Sequence, residues 1–71
     1  MKSDIHKKLA KRIIQLRKEL GISSEKLAYG VGLSKTGVRY IERGLKDPKL
    51  STLTLIAEGL GVSLSELFDF D

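Results

Sequence analysis

The chain has 71 residues with 13 Lys or Arg against 9 Asp or Glu, one histidine and no cysteine. One small domain is expected, burying only roughly 60% of its unfolded surface and so needing a dense core. Disulfides, thiolate-held metals and multi-histidine clusters are excluded, as is a bilayer span, which takes roughly 20 apolar residues.

The formal charge of +4 is unevenly laid out: every base lies between Lys2 and Lys49, where five acids leave an excess of eight positive charges. Residues 50–71 carry four acids and no base. A basic body with an acidic end suggests a polyanion bound by one part of the molecule. With no secretory segment at its start, the domain is expected to be soluble and cytoplasmic.

The first element is a helix. Ile5, Leu9, Ile13, Leu16 and Leu20 recur at gaps of four, four, three and four, and so share one face. Ser3 or Asp4 suits its N-terminal cap and Gly21 the left-handed turn that ends it, while Lys7, Lys8, Lys11 and Lys18 lie on the solvated side. A shorter helix follows the N-cap Ser23, with Glu25 in its first turn, Leu27, Ala28 and Val31 facing inward, and Gly32 as the turn residue. The third starts after Ser34 and runs to about Arg43, before Gly44. Its period puts Ser34, Val38, Ile41 and Leu45 on one side and Thr36, Arg39, Tyr40 and Arg43 on the other, with Lys35 at the margin.

After a loop around Pro48, a fourth helix runs from about Leu50 to Leu60, with Leu53, Ile56, Ala57 and Leu60 in one stripe. Ser63 and Glu66 have capping-box spacing for a fifth, where Val62 can meet Leu67 as a hydrophobic staple. Leu64, Leu67, Phe68 and Phe70 make this last stretch unusually apolar. Nothing alternates with period two for long enough to make a strand. The expectation is an all-α domain of five short helices.

No catalytic constellation emerges. His6 has no partner near it in sequence, the hydroxyls fall mostly where helices start, and the acids lack metal-loop spacing. The reading is therefore not an enzyme, with no cofactor and no metal. The third helix is the exception, because an exposed face of Thr, two Arg and Tyr suits base edges and phosphates. With the second helix and the turn at Gly32 it forms a helix-turn-helix, whose second member enters the major groove. The second helix can aim its N-terminal amides at a backbone phosphate, with Ser23 and Ser24 there as caps or as small donors to an oxygen.

The run Leu20-Gly21-Ile22-Ser23-Ser24-Glu25-Lys26-Leu27-Ala28 resembles the helix-turn-helix of the Cro and phage-repressor family. So do Gly32-Leu33-Ser34, Val38, Ile41-Glu42-Arg43-Gly44, Pro48, Leu53, Ile56-Ala57 and Leu60-Gly61-Val62, and the likeness covers practically the whole chain. Leu27-Ala28-Tyr29, Ile41-Glu42-Arg43-Gly44 and the Leu67-Phe68 ending also resemble restriction–modification controller proteins, a compact dimeric branch.

The resemblance implies a compact five-helix, lambda-repressor-like fold, with 1–71 as a single DNA-binding domain. It implies base contacts from Lys35, Thr36, Arg39 and Tyr40 and a phosphate contact from Arg43, while Ser23, Ser24 and Ser34 at the helix starts are further phosphate candidates. An ion pair between Arg17 and Glu42 is implied as well, tying the first helix to the third. The function implied is a sequence-specific transcription regulator, a homodimer on a palindromic operator in double-stranded DNA, with recognition helices about 34 Å apart. Dimerisation is expected from residues 62–71, through Leu64, Leu67, Phe68 and Phe70; the alternative is that Leu64, Leu67 and Phe68 close the monomer core and only Phe70 is exposed.

Three residues depart from the family pattern. Ser24 stands where relatives carry a Gln that touches phosphate, and Lys49 where they carry a Ser or Thr cap, leaving Ser51 or Asp47 as candidate caps. Gly37 sits inside the recognition helix, at a cost of about 1 kcal/mol relative to Ala; it either permits close approach or softens the helix. The competing reading is an antitoxin or protein-interaction module that binds DNA weakly and meets a toxin partly through its C-terminus.

Overall fold

The computed structural model describes residues 4–70. Five helices follow one another: α1 (Asp4–Glu19), α2 (Ser24–Val31), α3 (Lys35–Glu42), α4 (Leu50–Leu60) and α5 (Leu64–Leu67). Three of the helix starts have a local cause. Ser23, Ser34 and Ser63 hold extended backbone, and their hydroxyls accept from the amides of Lys26, Gly37 and Glu66, satisfying donors that a helix start leaves free. At Ser63 the capping box is complete, since the Glu66 carboxylate also accepts from the Ser63 amide at 2.9 Å. The tight α2–α3 turn depends on Gly32, whose φ of 75° places it in the left-handed region that glycine enters without penalty.

The core is formed by the inward faces of all five helices. Ile13, Leu27, Val38, Ile56 and Leu67 are its largest fully buried side chains, and Leu9, Leu16, Ala28, Ile41, Leu53, Ala57 and Leu60 surround them. The inward residues expected on α4 are all buried, and Val62 packs on the cluster that contains Leu67. α2 packs against both α3 and α4, so the recognition helix is backed by a layer of its own chain.

Several expectations change. Ile5, Leu20 and Leu45 continue the apolar faces of their helices but are about half exposed, at 49%, 53% and 47%. Each lies at or beyond a helix end, where the stripe runs past the bundle that would cover it. Neither Ser51 nor Asp47 caps α4: its N-cap is Lys49, without a side-chain hydrogen bond. Asp47 instead accepts from His6 Nε2 at 3.1 Å, giving that histidine a partner far along the chain. Leu67, placed among the dimerisation residues, is fully buried in the monomer core and is unavailable to a second chain. Leu64 and Phe70 also pack on the core, leaving Phe68 as the exposed apolar side chain of α5 and the residues beyond it. The candidate cap Ser3 lies outside the described residues, as does the acid Asp71.

Candidate nucleic-acid interface

α3 turns Val38 and Ile41 into the core, and that choice fixes what its other side shows to solvent. Lys35, Thr36, Arg39, Tyr40 and Arg43 are all exposed. Five polar, donor-rich side chains therefore share one face of a helix about 12 Å long. Among the described residues, the side chains of Arg39 and Arg43 have neither ion-pair nor hydrogen-bond partners. Lys35 is held loosely, its Nζ 3.5 Å from Glu25 Oε2 on α2.

Behind that face, Arg17 joins α1 to α3. Its Nε and Nη2 donate to the two Glu42 carboxylate oxygens at 2.9 and 3.2 Å, the fork-to-fork geometry that suits guanidinium and carboxylate. Its Nη1 donates to the Ile22 carbonyl at 2.9 Å, so the same side chain also holds the approach to α2. Both partners are largely withdrawn from water, with side-chain exposures of 16% and 9%. The ion pair implied by the family resemblance is present, and it orients the helix that carries Arg39 and Arg43.

The three serines differ in what they can still do. Ser23 and Ser34 already use their oxygens as acceptors in caps, at 3.0 and 2.9 Å, which leaves their hydroxyl protons for another acceptor. Ser24 opens α2 and is half-buried. α3 stays continuous through Gly37, whose amide meets the Ser34 cap; a Cβ at Gly37 would stand 2.8 Å from that Ser34 oxygen. Gly37, Ser34, Lys46 and Lys49 line a hollow between α3 and the α3–α4 loop. Lys46 and Lys49 were absent from the candidate contacts, although both are exposed beside the recognition helix. Basic residues in a loop next to that helix were the available signal.

A family model described as helix-turn-helix matches residues 13–67. The control protein C.MunI from Mycoplasma sp is 37% identical over 67 residues, spanning 93% of this chain and 90% of that protein. The crystal structure of the restriction–modification controller protein C.AhdI from Aeromonas hydrophila is similar at a TM-score of 0.85 and 32% identity, over 87% of this chain and 94% of that one. The controller protein C.Esp1396I, solved as a tetramer with its natural 35 base-pair operator, has a TM-score of 0.87 and 34% identity, over 94% of this chain and 88% of its own. The chain belongs to the Cro/phage-repressor helix-turn-helix family and closely matches its restriction–modification controller proteins.

Proposed function

We propose that this protein is a sequence-specific transcription regulator that binds operator DNA as a homodimer, with α3 in the major groove. The observation that carries this reading is the unpartnered Arg39 and Arg43 on one face of a helix braced from behind by Arg17 and Glu42. Lys35, Thr36, Arg39 and Tyr40 read base edges. Arg43 holds backbone phosphate, as do Ser23, Ser24 and Ser34 at the starts of α2 and α3. The matched relatives are control proteins and regulators rather than enzymes. No helix among the described residues is long and apolar enough to cross a membrane, which fits the proposed place of action beside DNA in the cytoplasm.

Dimerisation follows from size. The largest dimension of the domain is 28 Å, short of the roughly 34 Å that separates half-sites one DNA turn apart. Two copies are needed, and Phe68 is the exposed apolar residue of α5 and the segment after it that can contribute to their contact. The antitoxin reading draws on Ser24 and Gly37 and needs an apolar C-terminal end to meet a toxin; with Leu67 buried and Leu64 and Phe70 packed on the core, little of that end is left for one.

Selection from random duplex DNA, with the mass of the recovered complex, tests this reading. A palindromic consensus carrying two chains per site is expected, and absence of enrichment over bulk DNA overturns it. On the recovered site, Arg39→Ala should relax sequence preference. Arg43→Ala should weaken binding to all sequences and reduce its salt dependence.

A further inference from the structure

We propose that Lys7, at the start of α1, is a phosphate-contacting residue that extends the DNA footprint beyond the helix-turn-helix; this rests on the placement of α3 in the groove. Two contacts bring the first turn of α1 to the far end of α3. A methyl group on Gly44 would lie 3.7 Å from Lys7 Cα and Cγ, so the Lys7 stem runs directly against the residue that follows Arg43. One residue earlier, His6 Nε2 donates to Asp47 Oδ1 at 3.1 Å and draws the α3–α4 loop against the same turn. Gly44 is buried with a φ of 70°, a conformation and a site that admit this approach.

The result is a cationic edge assembled from three parts of the chain: Lys7 on α1, Arg43 capping α3, and Lys46 in the loop. All three side chains are exposed and have no ion-pair or hydrogen-bond partner among the described residues. Two acids share this end of the domain. Asp47 is engaged by His6, and Asp4 lies in the first turn of α1, where the helix dipole favours a carboxylate. With α3 in the groove, the strand that meets Arg43 continues past the same edge, within reach of an extended lysine at position 7. Lys18 provides an internal comparison: it is exposed on α1 too, but about 16 Å further along the axis.

Binding is measured by fluorescence anisotropy across a salt series, on a duplex recovered by selection and on a scrambled duplex of equal length. Lys7→Ala should reduce the slope of log K against log salt by about 0.9 for each protomer. It should do so on both duplexes and leave the preference between them unchanged. Lys18→Ala should leave the slope as in the parent protein. The proposal is overturned if Lys7→Ala keeps the parent slope while Arg43→Ala flattens it, or if Lys18→Ala flattens it equally, which is the signature of diffuse charge. Silence of Arg39→Ala and Arg43→Ala together would overturn the placement of α3 itself and Lys7 with it.

Discussion

Arg17 carries more of this molecule than its position on a lysine-rich helix suggests. Three of its guanidinium nitrogens are engaged, two by Glu42 and one by the Ile22 carbonyl, so it ties together α1, α3 and the approach to α2. Removing Glu42 strands a charge that is mostly shielded from water. Glu42→Ala is therefore expected to cost about 3 kcal/mol in urea unfolding. Adding Arg17→Met should recover part of that loss, because the unpaired charge goes as well. A second residue sets a pH response: the Ser63 amide and hydroxyl, helped by nearby Arg12, hold the Glu66 carboxyl below its usual 4.5. A carboxylate depressed by folding contributes stability above its unfolded pKa, and that contribution is lost as pH falls through the lower, folded value. Thermal melts between pH 6 and pH 3 (roughly the span over which such a group titrates) should show this component in the parent protein. In Glu66→Gln, where no charge titrates, it should be missing.

At the scale of elements, two helical glycines that look alike in sequence behave oppositely. Gly30 in α2 has open space where a Cβ would go, whereas a Cβ on Gly59 in α4 would press within 2.7 Å of both Leu27 and Val31. Gly59 is the point where α4 approaches α2 closely, and Leu27 is a core residue with little room to yield. Gly30→Ala should raise stability by about 0.5–1 kcal/mol through helix propensity alone. Gly59→Ala gains the same propensity but incurs overpacking of about 1–3 kcal/mol, for a net loss near 1 kcal/mol. Denaturant midpoints of the two variants should move in opposite directions. The recognition helix depends on the same layer, since α3 packs against α2, which in turn packs against α4.

At the scale of the whole molecule, the last residues divide the tasks of folding and association. Leu67 is sealed in the core and Leu64 and Phe70 pack on it, with Arg12 donating twice to the Glu66 carbonyl at 2.8 and 3.1 Å to clamp α5 onto α1. Phe68 remains 37% exposed, its ring centroid 6.0 Å from that of Phe70. Leu67→Ala should cost about 2–5 kcal/mol, a large share of the roughly 4–10 kcal/mol expected for a domain this small. Phe68→Ala should spare the helical content and weaken self-association by at least about tenfold, equivalent to roughly 1.4 kcal/mol. Sedimentation and circular dichroism on the two variants separate the effects. If Phe68→Ala associates like the parent, the dimer contact lies on another face, where Leu50, at 69% exposure, offers the next apolar surface.

Local chemistry made much of this legible from the residues alone. Ser23, Ser34 and Ser63 act on amides three residues away, and the apolar stripes of α1, α3 and α4 repeat within a turn or two, so helix starts, stops and inward faces needed no knowledge of the fold. The outward face of α3 followed, because fixing Val38 and Ile41 inward leaves Arg39, Tyr40 and Arg43 outside. Contacts between distant segments were of another kind. The His6–Asp47 and Arg12–Glu66 hydrogen bonds join residues 41 and 54 positions apart, with no spacing rule to announce them. Burial at the ends was undecided for the same reason: Ile5, Leu20 and Leu45 continue apolar patterns, but periodicity states only a direction. Whether anything covers that direction depends on where the other helices stop. Tertiary packing alone chose Leu67 for the core and Phe68 for the surface, and it alone brought Lys7 beside the end of the recognition helix.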